Sequence, residues 1–144
     1  MKNLESPDGP IAVDEETKHA IVKVFREYRP RVVLAPPPSD LHPDHAATGR
    51  AVKEAWFLSG LSKLDTGQEP WRPHGVLHYM QHESFEPTII VDITEHIEKK
   101  KEAALCYRSQ FHQDEAGEAE PKTFISRPDF WFFWEARAAW WGHF

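Results

Sequence analysis

Polar turns separate short apolar runs along this chain, and the period of each run predicts an element. After Asp14, the residues Ala20, Ile21, Val24, Phe25 and Tyr28 recur at helical spacing, so a helix with one buried stripe is expected, capped by Asp14. Val13 stands where a hydrophobic staple would, and Glu15 and Glu16 suit the electropositive first turn. Pro30 stops this helix. Arg31 to Ala35, closed by Pro36, Pro37 and Pro38, predicts a buried strand of parallel type. A second helix is expected from Pro43 to about Leu58, with proline in its first turn and Gly60 after its end. Val76 to Met80 and Thr88 to Asp92 predict two more strands. Thr94 is placed to cap a third helix reaching Phe111, and Asp129 to cap a last one from Phe130 to Trp141. Residues 6–10, 65–73 and the acidic stretch 113–121 read as turns and loops.

The order is helix, strand, helix, strand, strand, helix, helix. That pattern predicts an α/β fold, a mainly parallel sheet flanked by helices. The length of 144 residues favours a single domain over 1–144. Open sheets of this kind bind ligands beyond the carboxyl ends of their strands. The segment His42-Pro43-Asp44-His45 follows such an end.

Composition narrows the function classes. A formal net charge of −6 argues against a nucleic-acid partner. Cys106 is the one cysteine, which excludes an intrachain disulfide and a cysteine-rich zinc module and fits a reducing compartment. The first residues hold no signal-peptide core and no apolar run reaches bilayer length, so a cytoplasmic protein without membrane contact is expected.

His42-Pro43-Asp44-His45 carries the chemistry. Imidazole is the commonest metal-ligand side chain, and its second nitrogen needs an orienting partner. Two histidines three apart share one face of a helical turn, and Pro43 stiffens the junction. On spacing alone the segment serves equally as a metal or acid–base site, or as a polar turn with a capping aspartate. A catalytic zinc wants about three protein ligands and a water, more than these residues supply.

Taken in order, further segments add to this motif. They are Asn3-Leu4 with Pro7-Asp8-Gly9, Arg29-Pro30-Arg31-Val32-Val33, Glu69-Pro70 with Arg72-Pro73, Tyr79-Met80, Ile90-Val91-Asp92, Tyr107-Arg108-Ser109-Gln110-Phe111 and Glu135-Ala136-Arg137 with Gly142. The set resembles the zinc-dependent N-acetylglucosaminyl deacetylases of the LmbE/PIG-L family, most of all the bacillithiol-biosynthesis branch, which acts on an N-acetylglucosaminyl malate. The resemblance implies a Rossmann-like fold, Zn2+ as cofactor, a small sugar conjugate as substrate, and a homo-oligomer as a possible assembly. It implies His45 as a zinc ligand and His42 as the group that stabilises the oxyanion and protonates the leaving amine. It further implies that Asp44 orients His42 and that Arg72 lies near the substrate carboxylates. The family's Ala-His-Pro-Asp-Asp segment, source of two more zinc ligands and the general base, would lie ahead of Met1 and is not in this sequence. A truncated, non-catalytic homologue, acting as a sugar- or metal-binding or association module, is therefore the alternative.

Other residues have plainer readings. His74, His78 and His82 are spaced like a strand face or loop cluster, with a second metal site as the sharper possibility. Cys106 reads as a core thiol. The aromatic run from Phe130 to Trp141 reads either as a core helix or as a subunit interface.

Overall fold

The structure is a computed structural model that describes residues 2–4, 6, 9, 11–107, 110–111, 125–127 and 129–143. The expected turn at 6–10 lies partly, and the acidic loop at 113–121 wholly, outside the described residues. The chain divides into two units, 1–86 and 87–144.

The first unit contains helix α1 (Glu15–Tyr28), strand β1 (Val32–Ala35), helix α2 (Pro43–Ser59) and strand β2 (Gly75–His78). Asp14 caps α1 as expected, accepting from the Thr17 amide at 2.8 Å. The chain leaves α1 at Arg29, which is left-handed (φ 48°) and donates its amide to the Phe25 carbonyl. The helical conformation is disfavoured before a proline, so Pro30 ends the helix through the residue ahead of it. The buried face of α1 is Ile21, Val22, Phe25 and Arg26. The sequence expectation put Tyr28 on that face, but it is 58% exposed.

The strands pair in parallel, Val32 opposite Gly75 through Ala35 opposite His78, with α2 as the crossover. Val33, Ala35 and Val76 face a core built from Ile21, Val22 and Phe25 of α1 and Ala51, Val52 and Ala55 of α2. The small residues of α2 let the two helices and the sheet approach closely. The other face of the pair, Leu34 opposite Leu77, is exposed, Leu34 by 69%. The strand is thus buried on one face, where the apolar run predicted two.

The second unit holds helix α3 (Ile97–Leu105), preceded by a single 3-10 turn, and helix α4 (Phe130–Trp141). Thr88 to Asp92, expected as a strand, is not one: among the described residues the sheet has two strands, and this segment has no ladder partner. Asp92, rather than Thr94, accepts at the start of the third helical segment, taking the Thr94 amide at 2.9 Å and hydroxyl at 2.7 Å. Asp129 makes no capping bond; its carboxylate pairs with Arg127. Cys106 is exposed at the end of α3, not in a core. In this unit Trp131 stacks on Phe111 at 5.1 Å, and the ammonium groups of Lys100 and Lys101 lie over Trp134 and Trp131. No helix among the described residues is long and apolar enough to cross a membrane.

Candidate metal centre

Because β1 and β2 are parallel, the loops after Ala35 and His78 leave the same end of the sheet. The first loop carries Asp40 into α2, and the second carries Gln81 and His82. The first is seated directly on α2 at Gly49, where a Cβ would meet the Pro37 carbonyl oxygen at 2.6 Å. Gly49 is thus the residue that lets the Asp40 loop lie against the helix.

The Asp40 side chain has no exposed surface. Its Oδ1 accepts the His42 amide at 3.0 Å and faces Nδ1 of His45 at 3.0 Å and Nδ1 of His82 at 3.2 Å. Its Oδ2 accepts the amides of His82 at 3.1 Å and Glu83 at 3.4 Å. Burial disfavours this carboxylate, but hydrogen bonds from the His42 amide, the His45 ring, the Glu83 amide and the His82 ring prevail and hold its pKa well below the ordinary range. An ionised carboxylate facing two ring nitrogens needs a proton on each. In a neutral ring that leaves Nε2 with the lone pair. His45 Nε2 has the Gln81 amide nitrogen at 3.4 Å. The rings of His42 and His45 stack at 4.6 Å, and those of His45 and His82 at 5.2 Å.

His42 is itself the cap of α2, its Nδ1 accepting from the Asp44 amide at 3.2 Å. A neutral His42 therefore carries its proton on Nε2, as assigned from that bond. The Asp44 carboxylate points elsewhere, accepting the amides of Gly9 at 2.9 Å and Ile11 at 3.1 Å. The Ile11 bond leads in lowering its pKa; burial opposes, and the Gly9 bond and nearby His42 and His45 add to the lowering. The contact of Asp44 with the His42 ring is thus made by its backbone amide, while its carboxylate holds the Gly9 and Ile11 amides.

The structure brings together His42, Asp44 and His45, but not Arg72. Its guanidinium donates to the Phe57 carbonyl at 2.7 Å and lies over the Phe57 ring at 4.7 Å. At the helical rise per residue, Phe57 stands roughly 18 Å along α2 from His45. Arg72, expected near the substrate carboxylates, thus lies at the far end of the helix from the histidines, where it holds the Phe57 carbonyl and ring. Gly60 follows α2 as expected, but with φ −87°. Its small size matters instead, since a Cβ there would meet Arg72 Nε at 2.5 Å.

Two residues were not singled out from sequence as partners of His45. Asp40, His45 and His82 each place a donor atom within 4.8 Å of the others. Asp40 stands two residues before the motif and His82 in a distant loop, so only the parallel pairing of the strands unites them.

The family described as PIG-L, GlcNAc-PI de-N-acetylase, matches residues 1–56. A probable N-acetyl-alpha-D-glucosaminyl L-malate deacetylase 2 from Bacillus anthracis is 31% identical over 131 residues, 82% of this chain and 54% of that protein. A conserved protein from Thermus thermophilus superposes with a TM-score of 0.73 at 39% identity, over 76% of this chain and 50% of its own. An N,N'-diacetylchitobiose deacetylase from Pyrococcus horikoshii gives 0.67 at 29% identity, over 94% of this chain and 47% of its own. The chain spans about half the length of the relatives it matches. On the motif, the fold and these likenesses together, it belongs to the LmbE/PIG-L deacetylase family and has that family's α/β fold, a mainly parallel sheet flanked by helices.

Proposed function

We propose that this protein serves the metal-dependent removal of the acetyl group from an N-acetylglucosaminyl conjugate, N-acetylglucosaminyl malate being the substrate named for the Bacillus anthracis relative, with Zn2+ held through His45. The observation that carries this reading is the division of labour at the start of α2. His45 is turned by a buried carboxylate, as metal-ligating histidines are. His42, one helical turn away, has its Nδ1 occupied by a backbone amide.

A bound Zn2+ would polarise the acetyl carbonyl and make a water nucleophilic. Asp40 fixes the orientation of the His45 ring. His42 Nε2–H is a donor available to the oxygen on which negative charge develops. Protonating the leaving amine from Nε2 would require a second proton on Nδ1, which would displace the Asp44 amide. Oxyanion stabilisation is therefore the role that this geometry favours for His42. Asp44 holds the cap through its amide and, through its carboxylate, ties the segment at Gly9 and Ile11 to the helix.

The general base is not among these residues, and the sequence holds no His-Pro-Asp-Asp. The test joins the chain behind an upstream segment that carries His-Pro-Asp-Asp and follows acetate release from N-acetylglucosaminyl malate with and without zinc. Zinc-dependent release, abolished by His45→Ala, is expected. A folded fusion that releases no acetate from any N-acetylglucosaminyl conjugate would contradict the reading.

A further inference from the structure

We infer that Asp40, His45 and His82 form a three-donor site for one divalent cation within this chain. Asp40 and His82 stand outside the His-Pro-Asp-His motif. The inference shares His45 with the hydrolytic reading above but uses it differently: there Asp40 orients the ring and Nε2 meets the metal, whereas here Asp40 Oδ1 and His45 Nδ1 bind the cation directly, so the two are alternative arrangements at His45 and this one does not depend on turnover.

A tetrahedral zinc with bonds of 2.0–2.1 Å sets its donors about 3.3 Å apart. Asp40 Oδ1 lies 3.0 Å from His45 Nδ1 and 3.2 Å from His82 Nδ1, so two edges of such a tetrahedron are already formed. The three residues keep their donors within 4.8 Å, and rotation of the half-buried His82 ring closes the third edge. The cation replaces the two ring protons that now face Asp40. Each neutral imidazole shifts its proton from Nδ1 to Nε2, so no proton is lost. Two neutral rings and one carboxylate leave a net charge of +1 on a site that takes a divalent ion. Two nitrogens and one oxygen suit zinc or cobalt better than magnesium or calcium, which prefer oxygen. The rest of the surroundings is built for a fixed anion. The amides of His42, His82 and Glu83 hold the carboxylate in place, so little ordering remains to be done on binding. The fourth position is left to water.

The test uses the full 144-residue chain without any added segment. It is freed of metal and titrated with Co2+ and then Zn2+, with calorimetry and the visible absorption of cobalt as readouts. One ion per chain is expected, with a tetrahedral cobalt band. His45→Ala and His82→Ala are each expected to weaken binding by about a hundredfold or more, while circular dichroism shows an unchanged fold. His82→Gln guards against a folding effect and is expected to weaken binding similarly. If the chain binds no ion, or binds it equally well without His82, the inference is overturned. Binding that needs His45 but not His82 overturns it while leaving the hydrolytic reading intact. Binding that needs both, in a chain whose fusion releases no acetate, supports this site and sinks the hydrolytic reading.

Discussion

The two ends of α2 are held by opposite chemistry. At the start, the carboxylates of Asp40 and Asp44 gather backbone amides and imidazoles. At the end, the guanidiniums of Arg26 and Arg72 gather carbonyls. Arg26 is buried and donates to the carbonyls of Ser59 at 3.0 Å, Leu61 at 2.7 Å and Leu64 at 2.7 Å, and to the Thr66 hydroxyl at 2.6 Å. Both arrangements follow the helix dipole, anions at the amino end and cations at the carboxyl end. The difference is in what remains available. The guanidinium of Arg26 is spent on the fold, so that end is a joint. At the other end His42 keeps Nε2 beyond the nitrogen that caps the helix, and His45 keeps Nε2 beyond the one facing Asp40, so that end can meet a ligand.

If the carboxyl end is purely structural, breaking it should cost stability and leave metal affinity alone. The largest effect is expected for Arg26→Ala. It leaves several carbonyls without a donor, each worth about 1–3 kcal/mol when buried, so a loss of roughly 3 kcal/mol or more is expected in denaturant unfolding. Gly49→Ala crosses from one category to the other. The added methyl drives the Pro36–Pro37 loop off α2, with an expected cost of about 1–3 kcal/mol, and it moves Asp40. Unfolding and zinc titration on the same variant should therefore both register it.

The amino end has a pH signature. Asp40 and Asp44 both have pKa values lowered in the fold, as does Asp14 at the start of α1. A carboxyl with a depressed folded pKa stabilises fully above its unfolded value, about 4. That contribution is lost as the pH falls through the lower folded values. Thermal unfolding is expected to change little between pH 7 and about pH 5 on this account, and to move to lower temperature below about pH 4. Asp40→Asn should flatten that acid limb. The smallest effect is expected for Arg72→Ala: about 1 kcal/mol of stability, for one exposed hydrogen bond and a ring contact. Its effect on KM in the fusion should be no different for the malate-bearing sugar than for plain N-acetylglucosamine. A selective rise for the malate conjugate would return Arg72 to the binding site and undo its assignment to the joint.

The sequence made the first unit legible where local rules act. Asp14, Pro43 and Gly60 bounded the helices, and the runs at 31–35 and 76–80 located the strands. It was less informative where a neighbour decides. Arg26 sits on the buried face of α1 because the loop after α2 brings carbonyls to it, and no periodicity shows that. Thr88 to Asp92 has the composition of a strand but no ladder beside it among the described residues. The histidines of the motif could be read from their spacing. His82 could be read only with His74 and His78, and Asp40 not at all, since sequence separation hides a meeting produced by two parallel strands ending together.

His42 and His45 are assigned different roles, and one comparison tests that difference directly. In the fusion carrying the upstream motif, zinc content and acetate release are measured for His42→Ala and His45→Ala. His45→Ala is expected to lose metal and activity together. His42→Ala is expected to keep its zinc and lose about 100- to 1000-fold in rate, the scale for removing one oxyanion donor. A His42→Ala protein without zinc, beside a His45→Ala protein that retains it, would contradict the account.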